Sequence, residues 1–514
     1  MPLPNGKNTL RVLRDLTEIK DHIKPAEVEQ VTRSVLDPDP STIYLLAANN
    51  GQLLKFWRDA MEAAPSGSDA QVRYKKVHTR LAEMLHFDQR TDVTGEVRIR
   101  LLNLSQTRPE PVFDKLFDAI LEHEAWDHGC SKCHLATERE SPCPIRYNRD
   151  VLRGVPGNTP FRDRLKQALR VSAMNDQHVP VRQMLMIVVN ALLGDHRRND
   201  RTLTCKEARR RARDRDYRST NPYDSALGLN VRPEKRQALA VFSSLSTFGV
   251  GFETNNTIDA LLIDHEPAAL AASLDAVDPL YGKGLFEAPR SSYFHGEDAN
   301  GNGNSFASAL ETQRRRLFFL LDSTAPDRSP WDLTVFREAG LFLTFSDAVA
   351  AGTDSEFVAS VVGQLVNGLN RTLTGMMTMD SDALWLARSI GRSEPSIGRF
   401  TMLPEIKRRG FSDFRVEVAS KPGSQRPQLF VCRRQTDRRS TPLELRPLLF
   451  EYLIRVAKGS LPSSFSRQCY QEVRHFALAA SSYVESYMES EDDQIIRILT
   501  VARNGAITPR DIGA

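Results

Sequence analysis

The sequence predicts an α/β fold with a parallel sheet near its amino end, followed by mixed, mainly helical α+β regions. Two strand-like segments, residues 10–16 (LRVLRDL) and 42–48 (TIYLLAA), flank residues 25–35, which have the pattern of a helix. A strand–helix–strand order predicts a crossover connection that makes the two strands parallel neighbours. The second segment is apolar without alternation, which is typical of a parallel sheet buried on both faces.

Length and composition limit the class of protein. At about 100–200 residues per domain, the 514 residues predict roughly three or four domains. Apolar residues make up 40 % of the chain and charged residues 26 %, which excludes a mainly disordered protein. No apolar run reaches the roughly 18 residues that span a bilayer, so no membrane partner is expected. The first residues lack the pattern of a secretory signal, and the cytoplasm is therefore the predicted compartment.

Polar side chains follow both predicted strands. Asp15 and Glu18 come at the end of the first strand, and Asn49 follows the second. Because the carboxyl ends of parallel strands meet at one edge of a sheet, these side chains are expected to face one crevice, where α/β proteins place ligands. The alternative is that they form turns, since Asn50-Gly51 is itself a turn dipeptide.

Farther along the chain lies a helix with clear signals at both ends. The segment VRQMLMIVVNALL begins after Pro180 and stops at Gly194, and residues 161–171 form an amphipathic segment before it. Arg182 lies in the first turn of this helix. Its alternative role is that of a surface arginine at the start of a buried helix.

This layout resembles the core and helical lid of AAA-type P-loop ATPases. In that family, acidic residues after one strand orient Mg²⁺ and the attacking water, an asparagine after the next strand senses the γ-phosphate, and a lid arginine reaches it. The resemblance implies that Asp15, Glu18, Asn49 and Arg182 surround ATP and Mg²⁺. Glu18 departs from the adjacent Asp-Glu pair of the family, which weakens its role as catalytic base.

The phosphate-binding loop of that family is missing. No GxxxxGK[ST] motif occurs, and the nearest string, residues 6–9 (GKNT), lacks the first glycine and a preceding strand. Tight ATP binding by this chain alone is therefore not expected. Two alternatives follow: the chain is the carboxyl-terminal part of a longer ATPase, or it is an inactive relative.

A cysteine-rich segment lies between the sheet and the lid. Cys130 and Cys133 form a Cys-x2-Cys knuckle, Cys143 follows it, and His128 precedes it. Zinc prefers four such ligands in a tetrahedron, and no general base for catalysis stands nearby, so the segment predicts a structural zinc ion bound by these four residues. The other candidates for the fourth ligand are His123 and His134. The alternative is a set of reduced, partly buried thiols.

An arginine-rich segment, residues 195–218, contains ten basic residues against five acidic ones, although the net charge of the whole chain is only +4. Such a segment predicts contacts with nucleic-acid phosphates. The predicted DNA contacts are Arg209, Arg210, Arg211 and Arg213. The alternative is a solvated helix face with i,i+4 pairs such as Glu207 with Arg211.

Several strings together resemble the bacterial defence-associated P-loop (AAA-type) proteins, most of all the ATPase-type component of DNA-phosphorothioation-dependent restriction systems. They are LLAANNGQLL, CPIRYN, VPVRQMLMIVVNALLGD, NPYDSALGLN, LVNGLNRTLTGMM and LPSSFSRQCY. The resemblance implies a nucleotide-dependent motor or switch that acts on DNA with other restriction subunits or a second copy of itself. Because no nuclease signature is present, DNA cleavage would belong to a partner. The alternative function is a catalytically silent, zinc-stabilised scaffold that binds DNA or partner subunits.

The predicted organisation has five parts. They are a partial ATPase-like core (1–115), a zinc-binding insertion (116–160), a helical lid with the arginine-rich segment (161–220), a mixed α/β region (221–330) and a carboxyl-terminal α+β region (331–514). In the fourth part, helices and short strands are expected to alternate. In the last part, residues 341–346 together with a helix at 356–373 predict a mixed module. A hairpin of FRVEVAS and QLFVCRR and helices at 443–458 and 466–488 complete the chain.

Overall fold

The structure is a computed structural model of the chain. It describes residues 8–16, 18–37, 40–86, 91–92, 97–102, 109–131, 133–136, 140–155, 158–177, 179–198, 201–263, 278–296, 304–322, 329–353, 355–375, 383–389, 400–402, 406–407, 413–421, 426–434, 438–462, 466–487, 496–501 and 507–512. The fold is mostly helical with small sheets, as a mixed α and β protein. It divides into two compact units, residues 1–107 and 108–514.

The amino-terminal unit contains a two-stranded parallel sheet and three helices. Its elements are β1 (Thr9–Leu13), α1 (Lys24–Leu36), β2 (Thr42–Leu46), α2 (Asn50–Ala63), α3 (Asp69–His86), β3 (Thr91–Asp92) and β4 (Ile99–Arg100). The parallel register pairs Thr9 with Thr42 and Leu13 with Leu46. The predicted strand–helix–strand order and the parallel pairing are therefore confirmed.

The described residues cover one face of this sheet and leave side chains on the other face exposed. Leu13, Tyr44 and Leu46 pack against the core of the unit, in which Trp57 donates a hydrogen bond to Thr32 at 3.0 Å. On the opposite face, the paired residues Val12 and Leu45 are 47 % and 52 % exposed. The prediction of a sheet buried on both faces was wrong for these strands, because an apolar run records which residues are apolar and not what covers them.

The carboxyl-terminal unit contains fifteen helices of the α type within the described residues. They are α4 (Pro109–Leu121), α5 (Pro144–Arg153), α6 (Pro160–Met174), α7 (Val181–Leu193), α8 (Cys205–Arg213), α9 (Pro222–Ala226), α10 (Pro233–Ala238), α11 (Ala240–Ser246), α12 (Asn256–Ile263), α13 (Lys283–Phe294), α14 (Asn304–Leu320), α15 (Ala339–Ala350), α16 (Glu356–Thr374), α17 (Pro447–Ala457) and α18 (Arg467–Glu485). Helix α7 begins and ends where the sequence predicts it, between Pro180 and Gly194. None of the described helices is both long and apolar enough to cross a membrane.

Small sheets complete this unit. Its strands are β5 (Ala383–Leu384), β6 (Ala387–Ser389), β7 (Phe400–Met402), β8 (Ile406–Lys407), β9 (Phe414–Ser420), β10 (Pro427–Arg433), β11 (Leu443–Glu444), β12 (Ile496–Val501) and β13 (Ile507–Ile512). One sheet has the order β11-β10-β9-β8-β5, and two further pairs are β6-β7 and β12-β13. Strands β9 and β10 pair antiparallel from Phe414 with Arg433 to Ser420 with Pro427, which confirms the predicted hairpin.

One large apolar core extends through the carboxyl-terminal unit and includes residues from Phe113 to Val484. Within this core Phe161 stacks on Phe319 with ring centroids 4.4 Å apart. Two predictions about this unit were wrong. Residues 341–346 belong to helix α15, and the described parts of residues 221–330 are helical without strands. Short apolar runs do not distinguish a buried strand from a buried helix, which explains both errors.

Candidate nucleic-acid interface and thiol cluster

Helix α8 has two chemically different faces. It begins with a capping box in which the Thr204 amide donates to the Glu207 carboxylate at 2.9 Å. Residues three and four apart share a face of a helix. One face consists of the buried residues Ala208, Arg211 and Ala212. The opposite face, called here the cationic face of α8, consists of exposed side chains at positions i, i+3, i+4 and i+7, which are Lys206, Arg209, Arg210 and Arg213.

Arg211 anchors this helix to the rest of the unit. Its Nη2 donates to Asp195 at 2.9 Å and its Nη1 to Asp216 at 2.5 Å, and the side chain of Asp195 is 0 % exposed. Burial lowers the pKa of Arg211, but the hydrogen bonds and charges of Asp195 and Asp216 outweigh it, so that its pKa lies above the ordinary value. The guanidinium of Arg211, one of the four predicted DNA contacts, is therefore engaged inside the protein by Asp195 and Asp216.

The other arginines of the predicted interface face solvent. In the part of the chain that the structure describes, Lys206, Arg209 and Arg210 have no hydrogen-bond or ion-pair partner. Arg213 forms one ion pair, with its neighbour Asp214 at 3.2 Å, and its side chain is 77 % exposed. These cations are therefore available to an external anion.

Four cysteines lie around the base of α8. In the π-helical turn Trp126–Cys130 and the residues after it, the amide of Cys133 donates to the carbonyl of Cys130 at 3.1 Å, which closes the knuckle. Cys143 is the N-cap residue of α5, and Cys205 is the first residue of α8. All four are free thiols; the first three are partly buried and Cys205 is exposed. These four residues are called here the thiol cluster.

Packing between α5 and α8 brings the segments that carry Cys143 and Cys205 together. Ile145, Leu203 and Ala208 form a small buried cluster against which the side chains of Cys143 and Trp126 pack. The hydroxyl of Tyr217, which follows α8, donates to the carbonyl of Pro142 at 2.9 Å. Two separate contacts therefore hold the chain on either side of Cys205 against the chain around Cys143.

The thiols influence one another electrostatically. Burial raises the pKa of Cys130, and the neighbouring Cys143, Cys205 and Cys133 raise it further. Burial also raises the pKa of Cys143, against the opposing effect of hydrogen bonds from the backbone amides of Arg146 and Ile145. Among the described residues, no three His, Cys, Asp or Glu side chains converge closely enough to hold a metal ion as they stand.

His128, the predicted fourth ligand, lies on the π-helical turn and is exposed. Sequence reasoning missed Cys205, which is 62 positions beyond Cys143. The only local signal was its place directly after the helix-capping residue Thr204. Helix N-termini favour negative charge, so a thiolate at that position is chemically reasonable.

Two residues of the predicted nucleotide site, Asp15 and Asn49, lie at one edge of the amino-terminal sheet. Asp15 and Asn49 follow the carboxyl ends of β1 and β2, where the Ala47 amide donates to the Leu13 carbonyl at 2.9 Å. Asn49 caps α2, since its Oδ1 accepts from the Gln52 amide at 2.8 Å. Asp15, Asn49 and the nearby Glu18 are all exposed.

Arg182 lies in the first turn of α7, as predicted, and it is exposed. It belongs to the carboxyl-terminal unit, whereas Asp15, Glu18 and Asn49 belong to the amino-terminal unit. The structure thus brings two of the predicted nucleotide-site residues to one sheet edge.

A separate cavity of about 500 Å³ opens beside strand β11. Its charged residues form a network in which Asp176 accepts from Arg426 at 2.5 Å and from Arg446 at 3.1 Å. Glu444 accepts from the same Arg426 at 2.7 Å and from Lys421 at 2.9 Å. Each of these cations has a carboxylate partner within the network. Because Asp176 follows α6 and its partners adjoin strands β10 and β11, the ion pairs join the loop after α6 to the β9–β11 sheet.

Comparison with known proteins does not identify this chain: no family model, no curated protein and no solved structure matches it.

Proposed function

We propose that this protein binds the phosphate backbone of DNA through the cationic face of α8. The observation that supports the proposal is the placement of Lys206, Arg209, Arg210 and Arg213 at one-face spacing on an exposed helix surface. Three of these four side chains have no partner within the described residues. A solvated helix face can be stabilised by pairs of cations and acids at i,i+4 positions, and within the described residues none of these four cations forms such a pair.

The dimensions of the face suit a nucleic-acid backbone. Seven residues of α-helix rise about 10 Å, and each strand of DNA carries one phosphate per roughly 3.4 Å of helix axis. Arginine donates two parallel hydrogen bonds to a phosphate, so Arg209 and Arg210 supply directional contacts in addition to charge. On the buried face of α8, Arg211 pairs with Asp195 and Asp216. These ion pairs fix the orientation of the helix and therefore of Arg209 and Arg210 on its exposed face. Contacts of this type position a protein on DNA without selecting a sequence.

The wider role that we propose follows from the family resemblance. The chain would act as a subunit of a bacterial DNA restriction system in which partner subunits cut the DNA. A nucleotide-dependent switch with a partial AAA-type core is the second candidate function, supported by the placement of Asp15 and Asn49 at one edge of a parallel sheet. A catalytically silent DNA-binding scaffold is compatible with the same cationic face.

The proposal is tested by measuring the affinity for a DNA duplex of random sequence at several salt concentrations. Each lost phosphate contact reduces the slope of log affinity against log salt by about 0.9. The double variant Arg209→Ala/Arg210→Ala should therefore reduce the slope by roughly 2. The matched control is Arg467→Ala/Arg474→Ala, which removes the same charge from exposed positions of α18 and should leave the slope close to that of the wild type.

Equal slopes for the wild type and the Arg209→Ala/Arg210→Ala variant would refute the proposed interface. The same titration with ATP and Mg²⁺ present tests the switch. If nucleotide changes the affinity for DNA, Asp15→Ala should abolish the change while it leaves nucleotide-free binding intact. An unchanged nucleotide response in Asp15→Ala would remove that residue from the switch.

A further inference from the structure

We propose that Cys130, Cys133, Cys143 and Cys205 bind one structural zinc ion, with Cys205 as the fourth ligand in place of His128. The proposal follows from the way the tertiary structure places the first residue of α8 beside the cysteine-rich segment. Three independent parts of the chain contribute: the knuckle of Cys130 and Cys133, the N-cap of α5, and the start of α8.

The packing around the cluster holds the chain segment that contains Cys205 against the segment that contains Cys143. Leu203 and Ala208, on either side of Cys205, are 3 % and 0 % exposed and pack in one cluster with Ile145, two residues after Cys143. The Leu203 amide also donates to the Leu193 carbonyl at 2.7 Å, which fixes the approach to α8. The electrostatic influence of Cys205 on both Cys130 and Cys143 is consistent with this proximity.

The donor set suits zinc. Four thiolates form a closed tetrahedral site with no position left for water, which is the usual arrangement of a structural zinc site. Two of the ligands lie at helix N-termini, where the helix dipole favours negative charge, and at one of them the amides of Ile145 and Arg146 donate to Cys143. Arg146 also supplies positive charge near Cys130. Binding converts four thiols and Zn²⁺ into a zinc tetrathiolate and releases four protons to solvent.

Such an ion would cross-link the knuckle and α5 to the base of α8. It would stabilise the helix whose opposite face carries Arg209 and Arg210, and this consequence for DNA rests on the proposed function. The metal site itself does not depend on it. The experiments below therefore measure metal and thiols directly, so that failure of the site and failure of the DNA interface are distinguishable.

The first experiment maps which thiols of the full-length protein are protected from alkylation. The protein is treated with a thiol-alkylating reagent after loading with zinc and, in parallel, after zinc removal by a chelator, and each cysteine is assigned by peptide mass spectrometry. Cys205 is exposed, so without a ligand it should react rapidly in both samples. We expect zinc to protect Cys205 together with Cys130, Cys133 and Cys143. Unprotected Cys205 in a protein that retains zinc would overturn the assignment.

The second experiment compares zinc retention in Cys205→Ser and His128→Ala during titration with a chelator. The loss of a direct ligand should weaken zinc binding at least as much as the roughly 10–100-fold that loss of a supporting contact causes. We therefore expect Cys205→Ser to release zinc at chelator concentrations at which His128→Ala and the wild type retain it.

The reverse order, with His128→Ala losing zinc and Cys205→Ser retaining it, would restore His128 as the ligand and refute the proposal. Wild-type protein that binds no zinc, or that forms a disulfide within the cluster, would refute the site altogether. If Cys205→Ser does not fold, the alkylation map of the wild type still decides the question. The zinc experiments can succeed while the Arg209→Ala/Arg210→Ala variant shows the same salt slope as the wild type. In that case the zinc site stands, and only the proposed DNA interface is refuted.

Discussion

Two runs of three consecutive arginines, residues 209–211 on α8 and residues 314–316 on α14, have opposite surroundings. All three arginines of the α14 run are buried, with exposures of 8 %, 5 % and 3 % along the run. Each has its own carboxylate: Arg314 pairs with Asp259 at 2.7 Å, Arg315 with Asp224 at 2.5 Å and Arg316 with Asp278 at 3.2 Å. In the α8 run, Arg211 is the one arginine with carboxylate partners among the described residues.

The comparison shows what decides whether an arginine run belongs to the core or to a surface. A buried guanidinium requires compensation for lost hydration, and the α14 run receives it from aspartates that are 38 to 91 positions away in the sequence. Arg209 and Arg210 lie on the outer side of a helix that packs through Ala208 and Ala212. The distribution of distant acids therefore separates a structural arginine run from one whose cations are available to an external anion.

The largest expected effect on the free energy of unfolding follows from removing a carboxylate that pairs with the buried α14 run. Asp278 accepts hydrogen bonds from Tyr147 at 2.7 Å, Tyr223 at 2.9 Å and Arg316 at 3.2 Å, and it is fully buried. Asp278→Ala removes the carboxylate that balances the buried Arg316 cation and accepts from two tyrosine hydroxyls, so the free energy of unfolding should fall by about 3–5 kcal/mol. Urea denaturation followed by circular dichroism measures it. The exposed Asp214→Ala is the control, and a similar small change in both variants would contradict the structural role of the α14 run.

A smaller effect on the free energy of unfolding should distinguish Arg211 from Arg209 within the α8 run. Arg211→Ala leaves Asp195 buried without its main cation, so we expect a loss of about 2–3 kcal/mol in the free energy of unfolding. Arg209→Ala, two positions away on the exposed face, should change it by no more than about 0.5 kcal/mol. Thermal and urea unfolding of both variants provide the measurement. Equal stability of the two variants would show that Arg211 is not an anchor.

The smallest expected effect on the free energy of unfolding concerns Arg426 and Arg446 at the cavity beside β11. These arginines are less buried than the α14 run and, unlike Arg209 and Arg210, are paired with carboxylates. Burial raises the pKa of Asp176, but its hydrogen bonds and charge interactions with these arginines outweigh it and hold the pKa below 3.8. For Glu444, Lys421 and Arg426 likewise outweigh burial and hold the pKa below 4.5. Depressed carboxylate pKa values stabilise the fold at neutral pH, and this contribution is lost as the pH falls below about 4.5 through the folded-state values.

Asp176→Asn should therefore unfold with a shallower dependence on pH below about 4.5 than the wild type. Because the Asp176 side chain is 53 % exposed, solvent screening limits its contribution at neutral pH to roughly 0.2–1 kcal/mol. Thermal unfolding between pH 3 and 7 (about one measurement per half unit) tests this expectation. The prediction fails if the two proteins lose stability in parallel on acidification.

Local sequence signals were sufficient for elements whose boundaries depend on neighbouring residues. Pro180 and Gly194 bound α7 because proline starts and glycine stops a helix through their own backbone properties. The alternation in residues 414–420 predicted β9 because side chains on a strand alternate between faces. Residues 341–346 had no such signal, since an apolar run of that length fits a strand and a buried helix equally well.

By itself, the sequence determined the order of β1, α1 and β2, the placement of Asp15 and Asn49 after parallel strands, and the cationic character of residues 195–218. Each of these depends on residues that are close in the chain. Only the tertiary structure decided that Arg211 turns inward to Asp195 while Arg209 turns outward, and that the start of α8, which carries Cys205, packs against the start of α5, which Cys143 caps. The physical reason is that burial and charge compensation are properties of the packed chain, in which the neighbours of a side chain come from distant positions.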